Sequence, residues 1–289
     1  MSIRTFSVVT TCHKEGYDLY GRRMVETFDR HWPREIVLDL YTENFKPDII
    51  SDRIVCLDLL AECPELVAFK QRHQDNPLAH GSASEKHWKV RIDWRKPKLK
   101  LRRKQNLGYR WDAVRFSHKT FSIFAAAERC ATDVLFWVDA DIQFFADIPF
   151  EFLEETIPPD CMVSFLARPQ FSECGFVGYN LRHPATGKFL KQFKALYTTD
   201  SLFKEDQWHD SYLFDVVRKR FEKKGHRTYD IGKGMGEEVG HVFINSDLGR
   251  YMDHMKGDRK ITGSSYGSDL KVDRDEAYWK EKSNHSTNS

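Results

Sequence analysis

The chain predicts an α/β fold, a three-layer α/β/α sandwich around a mostly parallel central sheet. Three observations carry this. Short β-branched runs alternate with helical periodicity from the first residues, the pattern of βαβ units feeding a parallel sheet. The apolar run Val134-Leu135-Phe136-Trp137-Val138 stands in mid-chain, as a strand covered on both faces requires. The 289 residues, 40% of them hydrophobic, suit one large domain with a real core. The expected layout is a single domain over residues 1–282 with a basic insertion at about 80–108, then a disordered polar tail at 283–289.

Phe6 to Thr10 reads as the first strand, with Thr10-Thr11-Cys12-His13 as the loop at its C-terminal end. Parallel sheets bind nucleotides at such strand ends, which makes Thr10 and Thr11 candidate contacts. Tyr17 to His31 has helical periodicity, and Glu35 to Tyr41 and Arg53 to Leu57 read as the second and third strands. Between Lys86 and Lys104 ten basic residues crowd together with Trp88 and Trp94. This stretch is either a solvated insertion or a platform for a polyanion or sugar acceptor, since aromatics stack on rings and cations hold phosphates.

Asp112 can cap a helix from Ala113 to about Glu128. Val114, Phe121, Phe124 and Ala125 form its apolar face, and Arg115, His118, Lys119 and Ser122 lie on another. The Val134–Val138 strand follows. Phe152 to Glu155 reads as a short helix after Pro149, Met162 to Ala167 as a strand, and Phe189 to Tyr197 as a helix. Five glycines between Gly225 and Gly240 read as a flexible loop over a site or as a plain connector.

Composition excludes several classes. The formal net charge is +2, so bulk electrostatics names no acidic partner. Six cysteines without a CxxC pair read as reduced thiols rather than disulfides or a structural zinc site. No apolar run is long enough for a signal peptide or a transmembrane segment, and the expected location is cytoplasmic. There is no GxGxxG, and no Gly-Lys-Ser/Thr follows the glycine cluster, which excludes dinucleotide and P-loop fingerprints.

Two motifs carry the chemistry. Asp139-Ala140-Asp141 ends the apolar strand, and His254-x-x-Gly257-x-x-Lys260 lies near the C-terminus. Together they supply two carboxylates, an imidazole, a glycine that lets backbone approach a ligand, and a lysine for phosphate oxygens. Aspartate with histidine suits Mn2+ better than Ca2+, which rarely takes imidazole; Mg2+ is the alternative ion. If the strand persists through the triplet, alternation points Asp139 and Asp141 the same way. A two-metal phosphoesterase or nuclease would need more acidic and histidine ligands than the spacing offers.

This pair of motifs resembles glycosyltransferase family 8, the glycogenin and lipopolysaccharide galactosyltransferase group, which has the GT-A fold. The resemblance implies that Asp139, Asp141 and His254 bind Mn2+, that Gly257 and Lys260 meet the donor diphosphate, and that an arginine on the preceding helix faces the site, which points to Arg115 with Lys119 beside it. Ser172 to Leu181 matches the family segment beside the donor sugar, with Glu173 where the family has asparagine. Gln207-Trp208-His209-Asp210-Ser211 matches the family's Asp-Gln-Asp only at Asp210. Ile261-Thr262 replaces the usual Pro-Trp. Glu173 and Asp210 are thereby the expected catalytic carboxylates, to stabilise the oxocarbenium-like carbon or take the acceptor's proton. The family implies retention; a carboxylate base would suit inversion. The expected activity is metal-dependent hexosyl transfer from a nucleotide-diphosphate sugar, UDP-linked, to a hydroxyl of a glycan or lipid-linked acceptor. The alternatives are a phage-type enzyme acting on hydroxymethylated DNA bases held through Lys86–Lys104, and a metal-dependent phosphoesterase.

Overall fold

The computed structural model describes residues 4–81, 86–91, 100–105 and 108–285. Strand β1 (Phe6–His13) lies between β2 (Val37–Glu43) and β6 (Val134–Val138), parallel to both. Beyond β2, strand β3 (Ile54–Asp58) is parallel as well. On the other side β9 (Glu173–Asn180) runs antiparallel to β6 and to β8 (Val163–Leu166), and β10 (Tyr229–Asp230) closes the edge parallel to β8. The spatial order is β10-β8-β9-β6-β1-β2-β3.

Both faces are covered, which explains the unbroken apolar run in β6. Its residues alternate between layers: Leu135 and Trp137 pack with one cluster, Val134, Phe136 and Val138 with the other. The first layer is built on α2 (Pro64–His73), α3 (Ala113–Arg129), α5 (Thr186–Thr198) and α6 (Asp210–Glu222). The opposite layer is built on α1 (Arg22–His31), α4 (Phe150–Thr156) and α7 (Ala277–His285), the last through the buried Trp279. The structure is therefore the expected α/β sandwich with a mostly parallel sheet.

Strand β1 outruns its expected end. Its parallel ladder with β2 continues through Cys12↔Thr42 and His13↔Glu43, so Thr10 to His13 are strand, not loop. Alternation puts Thr10 on the face of Val8 and Cys12, where it is fully buried. Thr11 faces the other way and donates its hydroxyl to the Tyr41 carbonyl at 2.9 Å. The helix after β1 enters through a π-helical turn, Tyr17–Gly21.

A two-stranded antiparallel sheet joins β7 (Ile142–Phe144) to β11 (Met252–His254), with Ile142 opposite His254. It brings the two motifs together. Strands β4 (Lys86–Arg91) and β5 (Lys100–Gln105) form an antiparallel pair. At its base Gly108 N donates to Gly81 O at 2.9 Å, and both glycines hold positive φ, 88° and 64°, where side chains are disfavoured. Residues 92–99 of the basic stretch with Trp94, the side chains of both its strands, and the tail from 286 lie outside the described residues. The glycine-rich segment is packed rather than free: a Cβ on Gly236 would overlap the Ala167 carbonyl, and Asp230 accepts from the amides of Ala167, Gly232 and Gly234.

Candidate active site

A cleft of about 650 Å³ opens at the carboxyl ends of β1, β2 and β6. Chain order reverses between β1 and β6, and this switch point is where open α/β sheets bind ligands. Thr11, Arg115, Lys119, Asp139, Asp141 and Lys260 line it.

The aspartates do not meet by strand alternation. Strand β6 ends at Val138, Asp139 N donates to Gly175 O at 2.8 Å, and Ile142 N returns to Asp139 O at 3.1 Å. This turn, not a continued strand, presents both carboxylates to one side. His254 Nε2 lies 3.2 Å from Asp141 Oδ1 and 3.6 Å from Asp139 Oδ2. One ligand atom from each of the three residues falls within 4.8 Å of the others. The remaining oxygens are held elsewhere. Asp139 Oδ1 accepts from Lys119 Nζ at 2.8 Å and Trp137 Nε1 at 2.7 Å, and Asp141 Oδ2 pairs with Lys260 Nζ at 2.8 Å. The donor set fits a small divalent cation, which holds oxygen ligands at about 2.1 Å and so sets neighbouring ones about 3 Å apart.

Behind the imidazole stands Glu173, only 5% exposed. Its Oε1 lies 3.4 Å from His254 Nδ1 and accepts from Gly175 N at 3.1 Å. Its Oε2 pairs with Lys256 and, at 3.3 Å, with Arg168 Nη1. Burial pushes this carboxyl up, but Lys256, His254 and Arg168 outweigh it and hold it well below the usual range. The expected catalytic Glu173 thus sits behind a metal-ligand candidate and does not line the cleft. Gly175 keeps the space between them: a Cβ there would lie 2.5 Å from His254 Cε1.

Asp210, the other expected catalytic carboxylate, opens α6 after His209, whose Nδ1 caps the helix by accepting from Tyr212 N at 3.4 Å. Asp210 reaches the cleft through Lys119, whose Nζ is 2.8 Å from Asp210 Oδ2 and also donates to Cys174 O at 2.7 Å. Burial works against the charge on Lys119, but Asp139 and Asp210 outweigh it and hold the ammonium well above its ordinary range. Burial raises Asp139 despite Lys119, whereas His254 and Lys260 overcome burial to hold Asp141 low.

The remaining candidates separate clearly. Arg115 is exposed on the cleft rim. Gly257 has φ 58°, and its carbonyl accepts from Lys260 N at 3.2 Å in the turn that presents the lysine. Thr10, expected at the nucleotide, is fully buried and does not line the cleft. Trp208 is core, 4% exposed.

Sequence reasoning missed several lining residues. The π-helical turn delivers Tyr20, whose ring lies 4.7 Å from Lys260 Nζ; nothing in its periodicity marks that insertion. Glu43 ends β2 two residues beyond the expected strand, paired with Lys70 and 3.4 Å from His118 Nδ1. Burial pushes His118 down to about 4 even though Glu43 opposes it.

No protein-family model matches the chain, and no curated protein does. Among solved structures the chain is similar to mouse xyloside xylosyltransferase 1 in its apo form, with a TM-score of 0.46, 10% identity, and coverage of 78% of this chain and 84% of that one. It is also similar to the glycosyltransferase GlyE of Streptococcus pneumoniae TIGR4. The apo form gives a TM-score of 0.40, 11% identity, and coverage of 80% of this chain and 46% of that one. A second GlyE structure gives 0.43, 10%, 81% and 47%. The chain thus spans about half the length of GlyE.

Proposed function

We propose that this protein is a metal-dependent glycosyltransferase that moves a hexosyl group from a nucleoside-diphosphate sugar, UDP-linked, to a glycan hydroxyl. The observation that carries the reading is the convergence of Asp139 Oδ2, Asp141 Oδ1 and His254 Nε2 beside a cleft that both aspartates and Lys260 line. The motif resemblance supports the same reading.

In the reaction the bond between the anomeric carbon and the β-phosphate oxygen breaks, and its electron pair leaves with the nucleoside diphosphate. The acceptor oxygen forms the new glycosidic bond, and its proton passes to the departing phosphate. Asp139, Asp141 and His254 would hold a divalent ion, Mn2+ by their ligand chemistry, which when bound would supply positive charge for the leaving diphosphate without proton transfer. Lys260, held at the cleft by Asp141 Oδ2, adds a cation for a phosphate oxygen. Lys119 holds the Asp139 carboxylate in register. Asp210 acts through Lys119, and Glu173 through His254, so both expected catalytic carboxylates become positioning residues. A two-metal phosphoesterase gains nothing here: among the described residues Asp139, Asp141 and His254 form the single group of this kind.

Thermal-shift measurements with UDP, GDP, ADP and CMP, each with Mn2+ or EDTA, test the reading. A ligand that binds only the folded state at 100 times its Kd stabilises by about 2.7 kcal/mol. The expected result is a rise in Tm for UDP that needs Mn2+ and vanishes in Asp139→Asn and Asp141→Asn. The reading fails if no nucleoside diphosphate raises Tm in the presence of Mn2+.

A further inference from the structure

Beside Asp210, away from the metal ligands, aromatic and guanidinium groups build a second surface. Its centre is His209, 2% exposed. Around it stand Phe171, Tyr109 and Phe116, with ring centroids 4.5, 5.8 and 5.9 Å away. Phe116 also lines the cleft, so the two surfaces are continuous. Tyr109 is 51% exposed.

The surface is fastened in place. Trp208 N donates to Arg110 O at 2.8 Å and Trp111 Nε1 to Asp206 O at 3.1 Å, stapling the turn Tyr109–Trp111 to the segment that leads into Asp210. The His209 ring cannot turn: its Nδ1 caps α6, and its Nε2 lies 3.1 Å from Gln207 Oε1.

Among the described residues its charge is unbalanced. The Arg168 guanidinium lies 5.0 Å from the Phe171 ring and is matched by Glu173. The Arg110 guanidinium lies 5.9 Å from both Tyr109 and Phe171 and pairs with no carboxylate among the described residues; its side-chain contact is Gln170 Oε1 at 3.4 Å. Ring faces next to a guanidinium fork that no described carboxylate matches suit a ligand with an apolar ring face, such as the C–H face of a sugar, that carries a carboxylate or phosphate, because the fork binds such oxygens in pairs.

We propose that Tyr109, Arg110 and Phe171 form the acceptor subsite and that the acceptor is a sugar carrying an anionic group. This rests on the glycosyltransferase reading. In a glycan acceptor the ring would stack on Tyr109 or Phe171 while the anion meets Arg110, and a hydroxyl would then point past Phe116 toward the cleft.

The test is binding, read by saturation-transfer NMR titration with Mn2+ and UDP present. The probes are methyl β-D-glucuronide, D-glucose 6-phosphate, neutral methyl β-D-glucoside and a single-stranded DNA oligonucleotide. At least one anionic sugar should bind about tenfold or more tightly than the neutral one, the contribution of one charge-assisted hydrogen bond. The two anionic probes separate carboxylate from phosphate. Arg110→Gln should erase the preference, and Tyr109→Ala should weaken neutral and anionic sugars alike. Equal affinities in wild type, no binding of any sugar, a preference that survives Arg110→Gln, or binding of DNA alone would each overturn the proposal. If the Mn2+-dependent UDP shift in Tm persists while the anion preference is absent, only the acceptor assignment falls. If that shift is absent, the transferase reading falls first.

Discussion

At the residue scale the ligand histidine is the demanding part. His254 Nε2 can serve a metal only if its lone pair faces Asp139 and Asp141, and a ring that rotates loses that aim. Glu173 Oε1 stands 3.4 Å from Nδ1, on the side of the ring away from the aspartates, where an acidic neighbour fixes the orientation of a ligand imidazole. Removing such a partner costs about 10–100-fold in metal affinity. Glu173→Gln should therefore lower Mn2+ affinity by about that factor, measured by EPR titration without nucleotide. A catalytic carboxylate would show the opposite pattern, with turnover lost and Mn2+ affinity intact, and that result would return Glu173 to its expected role. The metal-ligand candidates were legible because a triplet after an apolar run and a seven-residue spacing survive in one dimension. The job of Glu173 was not. Its neighbours in space are His254, Lys256 and Arg168, and no local pattern says which way a carboxylate on a buried strand will point.

At the element scale, composition predicted existence better than extent. Asp112 caps α3 as expected, accepting from Arg115 N at 3.1 Å. Strand β1 runs longer than its apolar run because a ladder ends where its partner ends, and β2 supplies partners to Glu43. On the polar face of α3, Lys119, a site candidate from sequence, is enclosed between Asp139 and Asp210, and Ser122 is fully buried. His118 on the same helix offers a pH test. Its folded-state value is about 4, against an unfolded value of about 6.5. Between those limits the unfolded chain binds the extra proton, so stability is intact above about 6.5 and declines as pH falls toward 4. His118→Asn should flatten the fall in Tm between pH 7 and pH 5 relative to wild type. Superimposable Tm–pH curves for the two proteins would show that His118 contributes nothing to acid sensitivity.

At the scale of the whole molecule, the site depends on closing a long loop of chain. The sheet order was readable in outline, since alternating strands and helices impose parallel pairing on β1, β2 and β3. The antiparallel β9 was not, since an apolar-run reading does not mark a strand carrying Glu173, two glycines and Asn180, nor was the small β7–β11 sheet, whose two strands of three residues lie over a hundred positions apart. That small sheet holds His254 against the aspartate turn, and the C-terminal helix braces it. Tyr278 stacks on Phe145 with centroids 4.2 Å apart, its hydroxyl donates to Asp253 Oδ2 at 2.7 Å, and Trp279 Nε1 donates to Gly249 O at 2.7 Å. Asp253, next to His254 and fully buried, also accepts from Ser265 N at 2.7 Å and Ser265 Oγ at 2.5 Å. Asp253→Ala would take the acceptor from the buried Ser265 N and Oγ and from the half-buried Tyr278 hydroxyl, at about 1–3 kcal/mol for a buried donor left unpaired, and free β11 from its brace. The expected outcome is a Tm lower by about 5 °C or more, together with weaker Mn2+ binding at temperatures where the variant is still folded. Destabilisation alone must not explain the second effect. Leu196→Ala, in the core layer on the opposite face of the sheet, should lower Tm by a similar amount and leave Mn2+ affinity unchanged. If Asp253→Ala binds Mn2+ as tightly as wild type, His254 is held by its own strand and Glu173, and the C-terminal brace serves stability only.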